Sequence, residues 1–264
     1  MLAPMIITEI MSLVVAHVPA VIAWLKDNLL PQHAPATPED IDNFPRQSHT
    51  PEGTAFVGLT GQTGGGKSSL INALLGKKYK ERSKAEQPGV AKTGAIQTTG
   101  VIDTEIMSFE MPGVEGLLKL MDLPGAGTAE FPIETYVKDL GLRWMHAIII
   151  VLKDGRPTEI DSILAKEAKR FGIPTFLVAN KFATTVRGAW DAGKNTYDEA
   201  MVNAYKHEIK HEVMEFLGKC GCTEVPLDHV FLVDSDHMQL FDGPAFNRRI
   251  LRLLTGNKLP HLFE

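Results

Sequence analysis

The sequence predicts a three-layer α/β protein built on a mainly parallel, six-stranded sheet with an N-terminal helical extension. Short apolar runs alternate with helical patterns along most of the chain, the signature of parallel strands joined by crossover helices. The most apolar run, AIIIV, lacks the polar alternation of a half-solvated strand, as a strand covered on both faces should. A glycine-rich turn, GQTGGGKSS, joins the first such strand to the first helix.

The extension comes first. Residues 4–25 read PMIITEIMSLVVAHVPAVIAWL, with Glu9 as their single formal charge. A secretory signal would want a basic leading segment, which is absent. The uncharged run 10–25 is shorter than the roughly 20 residues that span a bilayer, and Pro19 would kink a helix there. The expectation is a helix packed against protein, with peripheral contact of residues 4–30 at a membrane surface as the alternative. The stretch PQHAPATPEDIDNFPRQSHTPEG then sustains neither helix nor strand ladder and reads as a linker. Residues 1–50 are thus extension and linker, and residues 51–264 one domain.

Within that domain AFVGLT reads as a strand and SSLINALLG as a helix. VIDTEIMSF, LLKLMDL and HAIIIVL follow as strands, then TEIDSILAKEAKRFG as a helix. PTFLVANK and HVFLV are the last two strands; a helix near EAMVNAYKHEIKHEVMEFLG lies between them and PAFNRRILRLLTG closes the pattern. The composition, 264 residues with 44% hydrophobic and 22% charged, suits an ordinary globular chain. A net charge of -5 and pI near 6.0 supply no basic footprint for nucleic acid, so no such partner is expected. The two cysteines, Cys220 and Cys222, stand one residue apart and cannot build a disulfide framework or a closed zinc site. They read as reduced thiols, which suits a cytoplasmic location.

The segment GQTGGGKS fits G-x-x-x-x-G-K-[ST] through Gly61, Gly66, Lys67 and Ser68. Between a buried strand and a helix, backbone N–H groups and the helix N-terminus can surround a polyphosphate. Gly64, Gly65 and Gly66 let the backbone approach that ligand. Gly61, Thr63, Gly64, Gly65, Gly66, Lys67, Ser68 and Ser69 are therefore the candidate phosphate-binding residues, with Lys67 on the outer phosphates and the Ser68 hydroxyl on Mg²⁺. A metal partner is expected further on, and LLKLMDLPGAG supplies it. Asp122 ends an apolar strand and Gly125 follows in D-x-x-G, which puts a carboxylate near Mg²⁺ and a backbone N–H near the γ-phosphate. In KTGAIQTTG, Thr99 is the candidate to complete the metal shell, with Thr98 and Thr93 as alternatives. Lys67, Thr99 and Gly125 form the candidate catalytic set.

These segments, taken with DLPGAGTAEFPIETYVKDLGL, AKEAKRFGIPTFLVANK, FLVDSD and LLTGNKLPHLFE, resemble the G domain of the immunity-related GTPase family from about Thr54 onward. The resemblance implies a Ras-like G domain that binds GDP and GTP with Mg²⁺, forms homodimers in the GTP state and often works at membranes. It also implies that Asn180 and Lys181 of VANKFA, and Ser235 of FLVDSD, line the base pocket. The family motif there is Asn-Lys-x-Asp, whose Asp accepts two hydrogen bonds from the guanine edge; this chain has Ala183 in that place. Hydrogen bonds to a charged group contribute roughly 1.5–3 kcal/mol, and the loss should weaken guanine affinity by ~10- to 1,000-fold. Asp191, eight residues on, is a remote substitute.

Hydrolysis is expected to be slow in the monomer, because Ala126 stands where many signalling GTPases carry a water-orienting glutamine. Arg82, Arg143 and Arg187 are the candidate arginine fingers, and a second copy could supply such a group in trans. The alternative functions are a non-catalytic nucleotide-binding scaffold and, with no acceptor motif behind it, a phosphotransferase. HEIKH at residues 207–211 matches the zinc-protease pattern H-E-x-x-H. The apolar stripe of its helix, Met201, Tyr205, Ile209, Val213 and Phe216, puts both histidines on the polar side, so it reads as a solvated face.

Overall fold

A computed structural model describes residues 55–77, 90–91, 106–112, 118–222 and 225–255. The extension and linker, Arg82, and Thr93, Thr98 and Thr99 lie outside the described residues. The strands are β1 (Ala55–Thr60), β2 (Met107–Glu110), β3 (Leu118–Asp122), β4 (Ala147–Leu152), β5 (Thr175–Ala179), a two-residue pair β6 (Trp190–Asp191) and β7 (Thr196–Tyr197), and β8 (Val230–Leu232). The helices are α1 (Lys67–Leu74), α2 (Ile133–Asp139), α3 (Glu159–Arg170), α4 (Phe182–Thr185), α5 (Glu199–Lys219) and α6 (Gly243–Thr255).

Six strands form one sheet in the order β2-β3-β1-β4-β5-β8. β2 runs antiparallel to β3, and every other pairing in the sheet is parallel. This is the mainly parallel α/β sheet that the apolar runs predict. Alternate residues of β4 show why those runs have no polar positions. Ile148, Ile150 and Leu152 pack with Leu164, Ala165 and Ala168 of α3 and with Val213 and Leu217 of α5. Ala147, Ile149 and Val151 face the other way, into a cluster with Leu70, Ile71 and Leu74 of α1 and with Phe246 and Ile250 of α6. Each face of the sheet therefore has its own helical cover.

Two details differ from the sequence reading. In α5 the buried residues are Val202, Val213 and Leu217, while Met201 is 43% exposed and Phe216 only partly covered. Tyr205, Ile209 and Val213 of the predicted stripe do pack on the core, while Val202 and Leu217 take the inward places expected of Met201 and Phe216. His207, Glu208 and His211 remain on the exposed side, and the two imidazoles stack at 6.4 Å, as a solvated face allows. Arg143 is no candidate finger, because it is 1% exposed and its guanidinium lies over the rings of Trp144 and Phe171 at 5.4 and 5.0 Å. It belongs to the core below α2 and α3.

Candidate functional site

The site lies at the carboxyl ends of the parallel strands, where β1 turns into α1. Gly61 (φ 118°) and Gly66 (φ 96°) take left-handed backbone conformations at the two ends of the turn, which a side chain would strain. A Cβ on Gly61 would run into the Val151 carbonyl oxygen and one on Gly66 into Asn180 Nδ2, so both glycines are also demanded by close packing. Gly64, at φ 87°, has nothing among the described residues within 4 Å of where its Cβ would stand. The turn is thus tight on its inner side and open on the side where a phosphate would sit.

Lys67 begins α1 and folds back over this turn. Its Nζ donates to the carbonyl oxygens of Gly61 and Gln62, both at 3.1 Å. An ammonium has three donors, so the third is available to a ligand. Burial pulls the Lys67 pKa below its ordinary value, against the charges of Asp122 and Asp161, which favour the cation. The buried ammonium is therefore short of solvation that a phosphate would restore.

The register of β1 on β3 puts Leu59 opposite Asp122, which brings D-x-x-G beside the loop. Ser68 Oγ donates to Asp122 Oδ2 at 2.7 Å. Burial raises the Asp122 pKa, opposed by the Ser68 hydrogen bond and the Lys67 charge. The following backbone is tied down as well, since Leu123 N–H donates to Leu59 O and Ala126 N–H to Gly61 O. Gly125 sits against Thr63, where a Cβ would collide with the threonine side chain. Below, the buried Tyr136 hydroxyl donates to the Pro124 carbonyl at 2.7 Å and meets Thr60 Oγ1 at 2.8 Å. This gives the tyrosine-bearing helix α2 a direct hold on the D-x-x-G turn.

A third support comes from α3. Gln62 Nε2 donates to Thr158 Oγ1, which donates to Asp161 Oδ2, both at 2.8 Å. Asp161 also accepts the Thr158 N–H and so closes the capping box of α3. Burial raises its pKa, opposed by the Thr158 bonds and the Lys67 charge. The sequence reading missed this chain, although T-x-x-D before an apolar run is a legible capping pattern.

At the far end of the turn the structure joins the predicted base loops. Asn180 Nδ2 donates to Gly66 O at 3.2 Å, and Asn180 Oδ1 accepts from Ser235 N–H at 3.1 Å and Ser235 Oγ at 2.9 Å. Asn180 is thus the link between the turn of residues 61–66 and the loop after β8. Lys181 is exposed and left-handed at φ 62°. Asp191 is committed to its own turn, accepting from Gly193 N–H and Lys194 N–H and pairing with Lys194 Nζ at 3.3 Å. The sequence reading passed over Asp234. It is 5% exposed, and its Oδ2 accepts the backbone N–H of Ala183 at 3.1 Å. Its Oδ1 accepts from Asp236 N–H at 3.0 Å and faces His237 Nδ1 at 3.1 Å.

Residues 51–264 match the family model described as interferon-inducible GTPase (IIGP). The T-cell-specific guanine nucleotide triphosphate-binding protein 2 of Mus musculus is 28% identical over 209 residues, covering 79% of this chain and 46% of that protein. Interferon-inducible GTPase 1 of Mus musculus is 26% identical over 195 residues, covering 74% of this chain and 43% of that protein. The chain spans about half the length of these curated relatives. Among solved structures, a probable GTP-binding protein engB overlays with a TM-score of 0.46 at 19% identity, covering 77% of this chain and 100% of that one.

Proposed function

We propose that this chain, which belongs to the interferon-inducible GTPase family, binds GTP and GDP in the loop of residues 61–69 and hydrolyses GTP to GDP. The observation that carries the reading is Lys67, buried and held at 3.1 Å from two carbonyls of a turn that is open on its outer side. Such an ammonium needs an anion. Loop N–H groups and the N-terminus of α1 would hold the phosphates, and Lys67 would meet the charge that develops on the outer ones.

The donor set also suits Mg²⁺. Ser68 Oγ and Asp122 Oδ2 are hard oxygen ligands already 2.7 Å apart, and a carboxylate whose burial disfavours its charge is eased by a cation. When bound, Mg²⁺ would neutralise phosphate charge, with a threonine from residues 93–99 completing its shell. Gly125, pinned against Thr63, would offer its N–H to the γ-phosphate.

Slow turnover by one copy, and assembly of two copies in the GTP state, belong to the same proposal. Their support is Ala126, which is 3% exposed and has no polar side chain to orient water. With Arg143 in the core, a charge for the transition state falls to Arg187, which is exposed, to Arg82, or to a second copy. The same alanine favours the second reading, a nucleotide-binding scaffold without turnover. A cytoplasmic setting, with residues 4–30 packed against protein or in peripheral contact with a membrane surface, completes the proposal.

Phosphate release from GTP and Mg²⁺ under multiple turnover tests it. The GTPase reading expects several phosphates per chain, with a specific rate that climbs with protein concentration. GTP binding with at most one phosphate released per chain would select the scaffold.

A further inference from the structure

Asp234 stands beside Ala183, the position at which the Asn-Lys-x-Asp carboxylate is missing. The two loops that carry these residues are bound together. Phe182 N–H donates to Val233 O at 3.0 Å, Ala183 N–H donates to Asp234 Oδ2 at 3.1 Å, and Asn180 Oδ1 receives both Ser235 donors. Asp234 Oδ2 is therefore one hydrogen bond away from the backbone on which the Asn-Lys-x-Asp carboxylate would hang. The two oxygens are unequally used. Oδ1 takes the Asp236 N–H and faces His237 Nδ1, whereas among the described residues Oδ2 takes only the Ala183 N–H. A carboxylate oxygen has two lone-pair directions, so Oδ2 keeps one acceptor site.

We infer that Asp234 supplies the carboxylate that reads the guanine edge, so that base selectivity has moved from the loop after β5 to the loop after β8. The inference rests on the nucleotide reading above. Guanine presents two adjacent donors, the ring N1–H and the exocyclic 2-amino group, and the one open acceptor site of Asp234 Oδ2 fits the 2-amino group, which distinguishes guanine from the other two bases. Adenine presents no such pair. Xanthine carries a carbonyl oxygen in place of the 2-amino group, so it pairs with an amide better than with a carboxylate. The three bases therefore separate a base contact from a phosphate contact.

The experiment uses the full-length chain with Mg²⁺ and calorimetric titration of GDP, XDP and ADP. The wild type should prefer GDP to the other two. In Asp234→Asn, GDP affinity should fall ~10-fold or more, XDP should gain, and ADP should not change. Loss of all three by one factor, or no change in any, overturns the assignment, since Asp234 would then only fasten the loops. Ala183→Asp keeps the test decisive if Asp234→Asn does not fold. A carboxylate added beside Asp234 should give GDP no gain, because like charges adjoin. A gain of ~10-fold or more, confined to GDP, would mean that the acceptor position was empty and Asp234 is not the reader. A wild type that binds GDP and ADP equally overturns this assignment alone, and one that binds none of the three overturns the nucleotide reading with it.

Discussion

Lys67 and Asp122 are two ionisable groups that the fold buries at a cost to its own stability. Burial lowers the Lys67 pKa and raises that of Asp122, so each is held in a charge state its surroundings disfavour. Lys67→Ala should leave the protein folded, with a melting temperature no lower than the wild type's, while triphosphate binding falls below detection in titration calorimetry. Asp122→Asn keeps an acceptor for Ser68 and removes the disfavoured charge. The folded-state pKa of Asp122 lies above its unfolded value, so the group's stability is greatest in acid and is lost as pH rises through the folded pKa. The nucleotide-free variant should therefore melt higher than the wild type at pH 7, by ~1–4 °C, and the difference should vanish below the ordinary carboxyl range. Nucleotide affinity should meanwhile lose its dependence on Mg²⁺. A variant that melts lower at pH 7 would contradict the charge argument.

At the scale of elements, hydrogen bonds tie neighbouring segments at points the sequence does not mark. Asp242, just before α6, is an example. It accepts the Leu232 N–H of β8 at 3.1 Å, and pairs with Lys206 at 2.8 Å and Lys210 at 3.1 Å from α5. Burial pushes its carboxyl up, but the Lys206 and Leu232 bonds and the two lysine charges outweigh this and hold it below the ordinary range. Here the sign is the reverse of Asp122. The clasp is at full strength above the unfolded pKa and is lost as pH falls through the lower folded one. Asp242→Asn should cost ~1–3 kcal/mol at neutral pH by denaturant titration, and less as the pH drops below the ordinary carboxyl range. Tyr136 is the other tie, between α2, β1 and the Pro124 carbonyl. Tyr136→Phe should cost ~1–2 kcal/mol and also weaken nucleotide binding, because it loosens the D-x-x-G turn; unchanged affinity in a destabilised variant would confine the tyrosine to stability.

For the whole molecule, the two core clusters on opposite faces of the sheet are each closed by helices from within residues 55–255. Removing residues 1–30 should therefore leave nucleotide affinity unchanged while reducing co-sedimentation with lipid vesicles. A truncated chain that no longer melts cooperatively would place the extension inside the core. The element order was legible because β4 and its neighbours are buried on both faces and carry no polar positions, and because G-x-x-x-x-G-K-S sits at a strand-to-helix turn. The small pair β6 and β7 was not legible. Two residues on each side are too few for a periodic signal, and the pair is held by a Trp190–Tyr197 contact at 4.9 Å and by the Asp191 turn.

The sequence by itself determined the sheet, the glycine-rich turn that ends in Lys67 and Ser68, and the strand-end Asp122 that stands beside it, since each follows from local pattern or from a spacing the backbone must respect. It also exposed the defect at Ala183. Only the tertiary structure decided what stands beside that alanine, because Asp234 is 51 residues away along the chain and reaches it through the parallel pairing of β5 with β8. It also moved Arg143 into the core, where the Trp144 and Phe171 rings surround a cation that sequence reading takes for a surface group. Local pattern reports which residues a strand or turn requires. Contacts across the sheet depend on register, and register is set by how the whole core packs.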